Sequence, residues 1–184
     1  MTKIVGLSGS LRRGSFNTTL LRVAAGLMPD VDFELADISA FPLYNADVEK
    51  EQGIPAAVAH LKDLVAGADG LLIATPEYNQ STPGVLKNAI DWMSRPADDI
   101  PRVFRKKPVA IIGASPGPWG TARGQPLLLP VLRALTVRAF FDAAPFYVRE
   151  AHKAFDAQGQ FIDAAQRERL AGFLHGFLDF VAEK

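Results

Sequence analysis

One run constrains the fold of this chain more than any other: residues 69–74, DGLLIA, carry no polar side chain after the first. A strand of that kind, apolar on both faces, belongs in the interior of a parallel sheet with helices above and below. Residues 4–7 and 108–113 repeat the pattern, residues 32–38 alternate apolar and polar, and residues 144–148 supply a last strand. Helical spacing separates these runs. Residues 16–27 place Leu20, Leu21, Val23, Ala24 and Leu27 on one side, and residues 55–66 open with Pro55 at a tolerated first-turn position. Residues 84–94 and 126–135 read as helices too. Leu170, Phe173, Leu174, Phe177, Leu178 and Val181 make a terminal amphipathic helix. Residues 39–53 contain FPLYNAD and read as a loop.

Strands and helices therefore alternate five times, which calls for an α/β fold: a parallel sheet with helices on both faces. Five strands fit the flavodoxin-like order 2-1-3-4-5. The 184 residues, 48% hydrophobic and 22% charged, suit a single domain over residues 1–184 with an ample core. The chain has no cysteine, which removes disulfides, thiolate-held clusters and thiol nucleophiles, and suits a cytoplasmic protein. The N-terminus runs straight into a strand, so no signal peptide is expected. No run approaches the roughly 18 apolar residues of a membrane span. Twenty basic residues balance twenty acidic ones, which makes nucleic acid a poor partner.

In open sheets of this kind ligands bind at the carboxyl ends of the strands, near the switch in strand order. The loops after strands one, three and four are the unusual ones. The first, GSLRRGSFN, joins glycines, hydroxyls and arginine to a helix start, where free N–H groups attract phosphate. It also reads as a plain turn with Ser15 or Asn17 as cap. Gly9 and Gly14 have P-loop spacing, but Ser15-Phe16 stands where Lys-Ser/Thr is required, and G-x-G-x-x-G is absent. A monophosphate fits what remains. The second loop, TPEYNQSTPG, is stiffened by prolines and could line a flat ring with polar edges, or simply turn the chain. Asn88 and Asp91 are expected to close that loop onto the following helix, and Trp92 to sit in the core. The third loop, ASPGPWGTARGQ, has glycines that allow close backbone approach. Its Trp119 reads equally as a pocket cover or as an exposed contact residue.

The strings GSLRRGSFN, PEYNQSTPGVLKNAIDW and ASPGPWGTARGQ resemble those of the NADPH-dependent FMN reductase family, whose members include quinone, chromate and azo-compound reductases. The resemblance implies FMN as cofactor and NADPH or NADH as reductant. It implies that Ser10, Arg12, Ser15, Phe16 and Asn17 hold the phosphate. Pro76, Glu77, Tyr78 and Asn79 would line the isoalloxazine ring, and Ser115 and Gly117 its other side. Glu77 is expected to point away, because a carboxylate beside a reduced, anionic flavin is repulsive. Family members commonly carry two glycines where this chain has Gly120-Thr121. The resemblance further implies a homodimer or homotetramer, ping-pong transfer to small acceptors such as quinones, chromate, azo compounds or free flavin, and no catalytic side chain. No metal site is expected.

A flavodoxin-type electron carrier is the alternative, but such carriers use strong acidity to steer docking, and this chain has none. A flavin-linked sensor without turnover is a third reading. His60, His152 and His175 adjoin none of the three loops in sequence. The basic run of Arg102, Arg105, Lys106 and Lys107 reads as a solvated face, with recruitment of NADPH phosphates as the lesser reading.

Overall fold

The computed structural model describes residues 1–141 and 144–183. Strands β1 (Thr2–Ser8), β2 (Val31–Ala36), β3 (Gly70–Ala74), β4 (Pro108–Ala114) and β5 (Arg138–Ala139) form a parallel sheet in the order β2-β1-β3-β4-β5. The expected order is met, but the strand count is corrected. The position beyond β4 is filled twice, by β5 beside Pro108 and Val109 and by β6 (Phe146–Val148) beside Ile112, Gly113 and Ala114. Pro145 has no N–H to give a ladder, and pairing resumes only after it.

Eight α-helices are described: α1 (Phe16–Gly26), α2 (Ala46–Gln52), α3 (Ala56–Gly67), α4 (Gly84–Met93), α5 (Ile100–Val103), α6 (Gly124–Ala134), α7 (Ala151–Ala154) and α8 (Ala164–Ala182). Successive strand residues point to opposite faces, and two cores result. Ile4, Leu72, Ala110 and Ile112 pack under Leu20 and Leu21 of α1 and Phe173 and Phe177 of α8. Val5, Leu7, Leu71, Ile73 and Val109 pack under Leu61 of α3, Leu86 and Ile90 of α4 and Leu128 of α6. Every residue of β3 is buried, as its composition requires. Truncating one of these leucines to alanine costs about 2–5 kcal/mol.

Helix α2 lies where a loop was expected. It buries no residue, so it shows no apolar periodicity. The Asn45 side chain caps it by accepting from Asp47 N at 2.9 Å. Tertiary contacts hold it down: Arg95 Nε donates to Glu49 Oε2 at 2.9 Å, and Tyr44 Oη donates to the same oxygen at 2.9 Å. A cap residue followed by two acids in the first turn was the local signal available.

Registers place Ser8 beside Ala74, and Ala74 beside Ile112. The carboxyl ends of β1, β3 and β4 thus lie next to one another, where the chain order changes direction across the sheet. Gly9 N donates to Ala74 O at 2.8 Å and Thr75 N to Ile112 O at 3.0 Å, extending the sheet into the loops.

Candidate functional site

The first loop ends in a capped helix. Ser15 is extended (φ −68°, ψ 122°), and its hydroxyl accepts from Thr18 N at 3.2 Å. Phe16 and Asn17 follow as the first two helical residues, and their N–H groups have no partner among the described residues. Arg12 forms no ion pair among the described residues; its guanidinium lies 4.6 Å from the centroid of the Phe16 ring. Ser10 Oγ accepts weakly from Arg12 N at 3.4 Å. The loop therefore presents two free N–H donors, a hydroxyl and an unpaired cation at a helix start. This donor set suits a phosphate monoester.

The Asn17 side chain does something else. Its Nδ2 donates to Ala114 O at 2.9 Å, and its Oδ1 accepts from Ala114 N at 2.9 Å. Asn17 is buried, and both ends of its amide are engaged at the end of β4. Only its backbone N–H is without a partner among the described residues. The side chain joins the first loop to the third.

The second loop is a tight hairpin. Tyr78 and Ser81 exchange N–H···O bonds of 3.0 Å in each direction, and Asn79 and Gln80 between them have φ of 50° and 63°. Positive φ at both central residues is the type I′ pattern, which asparagine tolerates better than most side chains. Gln80 in that conformation is strained by about 1 kcal/mol. Pro76 is buried, while Tyr78 is 49% exposed. Glu77 Oε2 accepts from Arg123 N at 2.9 Å and from Gly124 N at 2.8 Å. As expected, it points to other residues, and it caps α6, which begins at Gly124 rather than at 126.

Asn88 is a correction. It does not close the second loop: its Oδ1 accepts from Tyr44 N at 2.8 Å and its Nδ2 donates to Pro42 O at 2.9 Å. Trp92, fully buried as expected, donates through Nε1 to the same Pro42 carbonyl at 2.8 Å. Asp91 pairs with Lys87 on the helix surface at 2.6 Å. The NAIDW string thus anchors the segment after β2 to α4.

The third loop is braced from both sides. Ser115 N donates to Val148 O at 3.1 Å, Ala151 N to Ser115 O at 3.0 Å and Glu150 N to Gly117 O at 3.2 Å. Ser115 Oγ accepts from Gly117 N at 3.3 Å. Gly120 has φ 61°, where a side chain would be strained. Thr121 is fully buried, and its Oγ1 accepts from Gln125 Nε2 at 2.8 Å. It occupies the space beside Gly113 of β4, where a Cβ would fall 2.5 Å from Thr75 O and closer still to Thr121 Oγ1. Thr121 therefore anchors this loop from beneath. Trp119 is 55% exposed, with the Arg123 guanidinium 5.1 Å from its ring centroid.

Two members of the basic run serve the frame. Arg102 is ion-paired with Asp99 and Asp63, and Lys107 donates to the carbonyls of Ala66 and Ala68, with burial lowering its pKa. His60, His152 and His175 are exposed and distant in sequence from the three loops. Among the described residues no cluster of His, Cys, Asp or Glu could hold a metal ion, and no helix is long and apolar enough to cross a membrane.

A family model described as NADPH-dependent FMN reductase matches residues 2–152. The chain is 49% identical over 167 residues to an NAD(P)H-dependent FMN reductase of Pseudomonas aeruginosa, spanning 90% of this chain and 88% of that one. It is 40% identical over 183 residues to a 2-hydroxy-1,4-benzoquinone reductase of a Burkholderia species, spanning 99% and 97%. The solved structure of a flavoenzyme NAD(P)H:(acceptor) oxidoreductase from Paracoccus denitrificans superposes with a TM-score of 0.88 at 34% identity, covering 100% of this chain and 98% of that one.

Proposed function

The chain belongs to the NADPH-dependent FMN reductase family, and from that membership we propose that residues 1–184 act as one FMN-binding unit, oxidising NADPH or NADH and passing two electrons to a small acceptor. The observation that carries this reading is the donor set at the start of α1: two N–H groups and the Arg12 guanidinium, none of which has a hydrogen-bond or ionic partner among the described residues. Ser10, Arg12, Ser15 and the backbone of Phe16 and Asn17 would hold the phosphate. Pro76, Tyr78, Asn79, Ser115 and Gly117, with the backbone of Glu77, would line the ring.

When bound, FMN supplies the hydride-accepting and electron-donating chemistry, and the protein supplies placement. Asn17 and Glu77 hold the three loops in one arrangement. Glu77 keeps its charge on the α6 terminus, where the helix dipole favours it. The histidines adjoin none of the three loops in sequence and the Glu77 carboxylate is engaged at the start of α6, so no side chain needs to act as acid or base. Nicotinamide and acceptor would use the same place in turn, which gives ping-pong kinetics. A quinone is the leading acceptor, on the strength of the Burkholderia relative's name. Chromate, azo compounds and free flavin are further candidates. The same reading includes a homodimer or homotetramer in the cytoplasm. Outward-facing Pro126, Leu127 and Pro130 of α6, with Phe141, form an apolar surface that an oligomer would cover.

The test is a visible spectrum of the purified protein, followed by anaerobic NADPH. A yellow protein that bleaches, and that oxidises NADPH steadily once a quinone is added, is expected. A colourless protein that takes up no added FMN would overturn the reading. Flavin binding with negligible NADPH oxidation would favour the carrier alternative.

A further inference from the structure

The family match ends at residue 152, and the chain beyond it folds back onto the phosphate loop. Phe155 and Phe161 form an antiparallel bridge, with their rings stacked 4.8 Å apart at 24°. The turn between them is closed on itself. Asp156 N donates to Gln160 O at 2.9 Å, and Asp156 Oδ1 accepts from Gln158 N at 2.9 Å and Gln160 N at 2.8 Å. Gly159 (φ 78°) packs on Thr19 of α1, where an added Cβ would fall 3.2 Å from Cγ2. At its base, Phe161 meets Phe146 of β6, with centroids 6.4 Å apart. The turn is therefore tied both to the sheet and to α1.

Phe155 stacks on Phe16, with centroids 6.3 Å apart and planes 12° apart. Phe16 in turn carries the Arg12 guanidinium. Arg12 and Phe16 flank the cap that starts α1, and the Phe16 ring also packs against the core on that face of the sheet. Phe16 is only partly buried, and Arg12 is exposed. An exposed arginine without an ionic partner loses much rotamer freedom when it binds an anion, and a fixed aromatic platform reduces that loss. We infer that Phe155, which lies outside the family match, is a positioning residue for the phosphate end of the FMN site, acting through the Phe16 ring to aim Arg12. The inference rests on the FMN reading above. It assigns to the C-terminal turn a role in selecting FMN over the same ring system without phosphate.

The experiment is a fluorescence titration of the full chain, freed of flavin, with FMN and with riboflavin. The variants are Phe155→Leu, Phe155→Tyr, Arg12→Ala and the double variant Phe155→Leu/Arg12→Ala. Phe155→Leu keeps apolar volume and removes the ring, and a circular dichroism melt confirms that it folds. It should lower the FMN-over-riboflavin affinity ratio by about five- to tenfold, part of one charge-assisted hydrogen bond, while changing riboflavin affinity by less than about twofold. Phe155→Tyr should restore the ratio. In the Arg12→Ala background Phe155→Leu should have no further effect on it. If Phe155→Leu weakens FMN and riboflavin equally, or leaves both unchanged, the positioning role is overturned and Phe155 is a packing residue. If the unmodified chain binds neither flavin, it is the FMN reading that fails.

Discussion

The carboxylate of Glu77 caps Gly124, the first residue of α6, from 47 residues away. This bond, with the companion bond from Arg123 N, joins the loop after β3 to the loop after β4. An acidic residue in a ring-lining loop would repel an electron-rich ligand. Here its charge faces the positive end of a helix instead.

Glu77→Ala leaves two N–H groups of the α6 start without their acceptor. It should cost about 1–2 kcal/mol, as removal of a helix cap does, and should also weaken FMN binding by loosening the third loop. Glu77→Gln, which keeps one acceptor oxygen, should lose about half as much. Urea unfolding of the flavin-free chain measures the first effect separately from the second; unchanged midpoints would remove the bracing role.

Asn17→Leu should be worse. The substitution leaves both the N–H and the carbonyl of Ala114 unpaired in a buried place, at about 1–3 kcal/mol for each group. Asn17→Asp restores the acceptor but faces a second oxygen toward Ala114 O, so it should recover only part of the loss. Comparing the three chains by thermal melting at neutral pH checks the ranking.

Gly113→Ala should destabilise by about 3 kcal/mol or more, because the new methyl group meets Thr121 and the backbone carbonyl of Thr75. Adding Thr121→Gly should rescue it only in part, since the 2.5 Å approach to Thr75 O remains. Full rescue by the double variant would show that the threonine alone sets the constraint.

Stability should fall as the pH drops below about 4, the ordinary carboxylate range. Asp99 is held well below that range, first by its hydrogen bonds from Arg102 and then by Lys62, and Glu49 is lowered chiefly by Arg95. A carboxyl whose folded value lies below its unfolded one stabilises the fold fully above the unfolded value. That contribution disappears as the pH falls toward the folded value. Asp99→Asn should flatten this acid limb. It should also cost about 3 kcal/mol at neutral pH, because Lys62, only 3% exposed, loses its counter-ion at 2.7 Å. Unfolding free energies at pH 3 and pH 7 for both chains test it; an unchanged acid slope would assign the effect to other carboxylates.

Much of the architecture was legible before any coordinates. DGLLIA reads as a strand buried on both faces, the alternation around it calls for parallel pairing, and the five expected strands fit the observed order, while the two-residue β5 leaves no separate signal. Those readings hold because burial of apolar side chains repeats with the period of the local backbone, so neighbours in sequence carry the information. The missing P-loop lysine likewise narrowed the expected ligand to a monophosphate without structural help.

The tertiary structure alone decided which partners the long-range polar side chains take. Asn17 reaches Ala114 across 97 residues, Glu77 reaches Gly124 across 47 and Asn88 reaches Tyr44 across 44. Helix α2 stands on an ion pair between Glu49 and Arg95 rather than on an apolar face. A polar side chain takes whichever partner the fold brings within about 3 Å, and that partner leaves no periodic trace in the chain. The sequence by itself therefore determined the parallel sheet and where its unusual loops fall. Only the packed molecule made braces of the Asn17 and Glu77 side chains, and placed Phe155 against Phe16 at the start of α1.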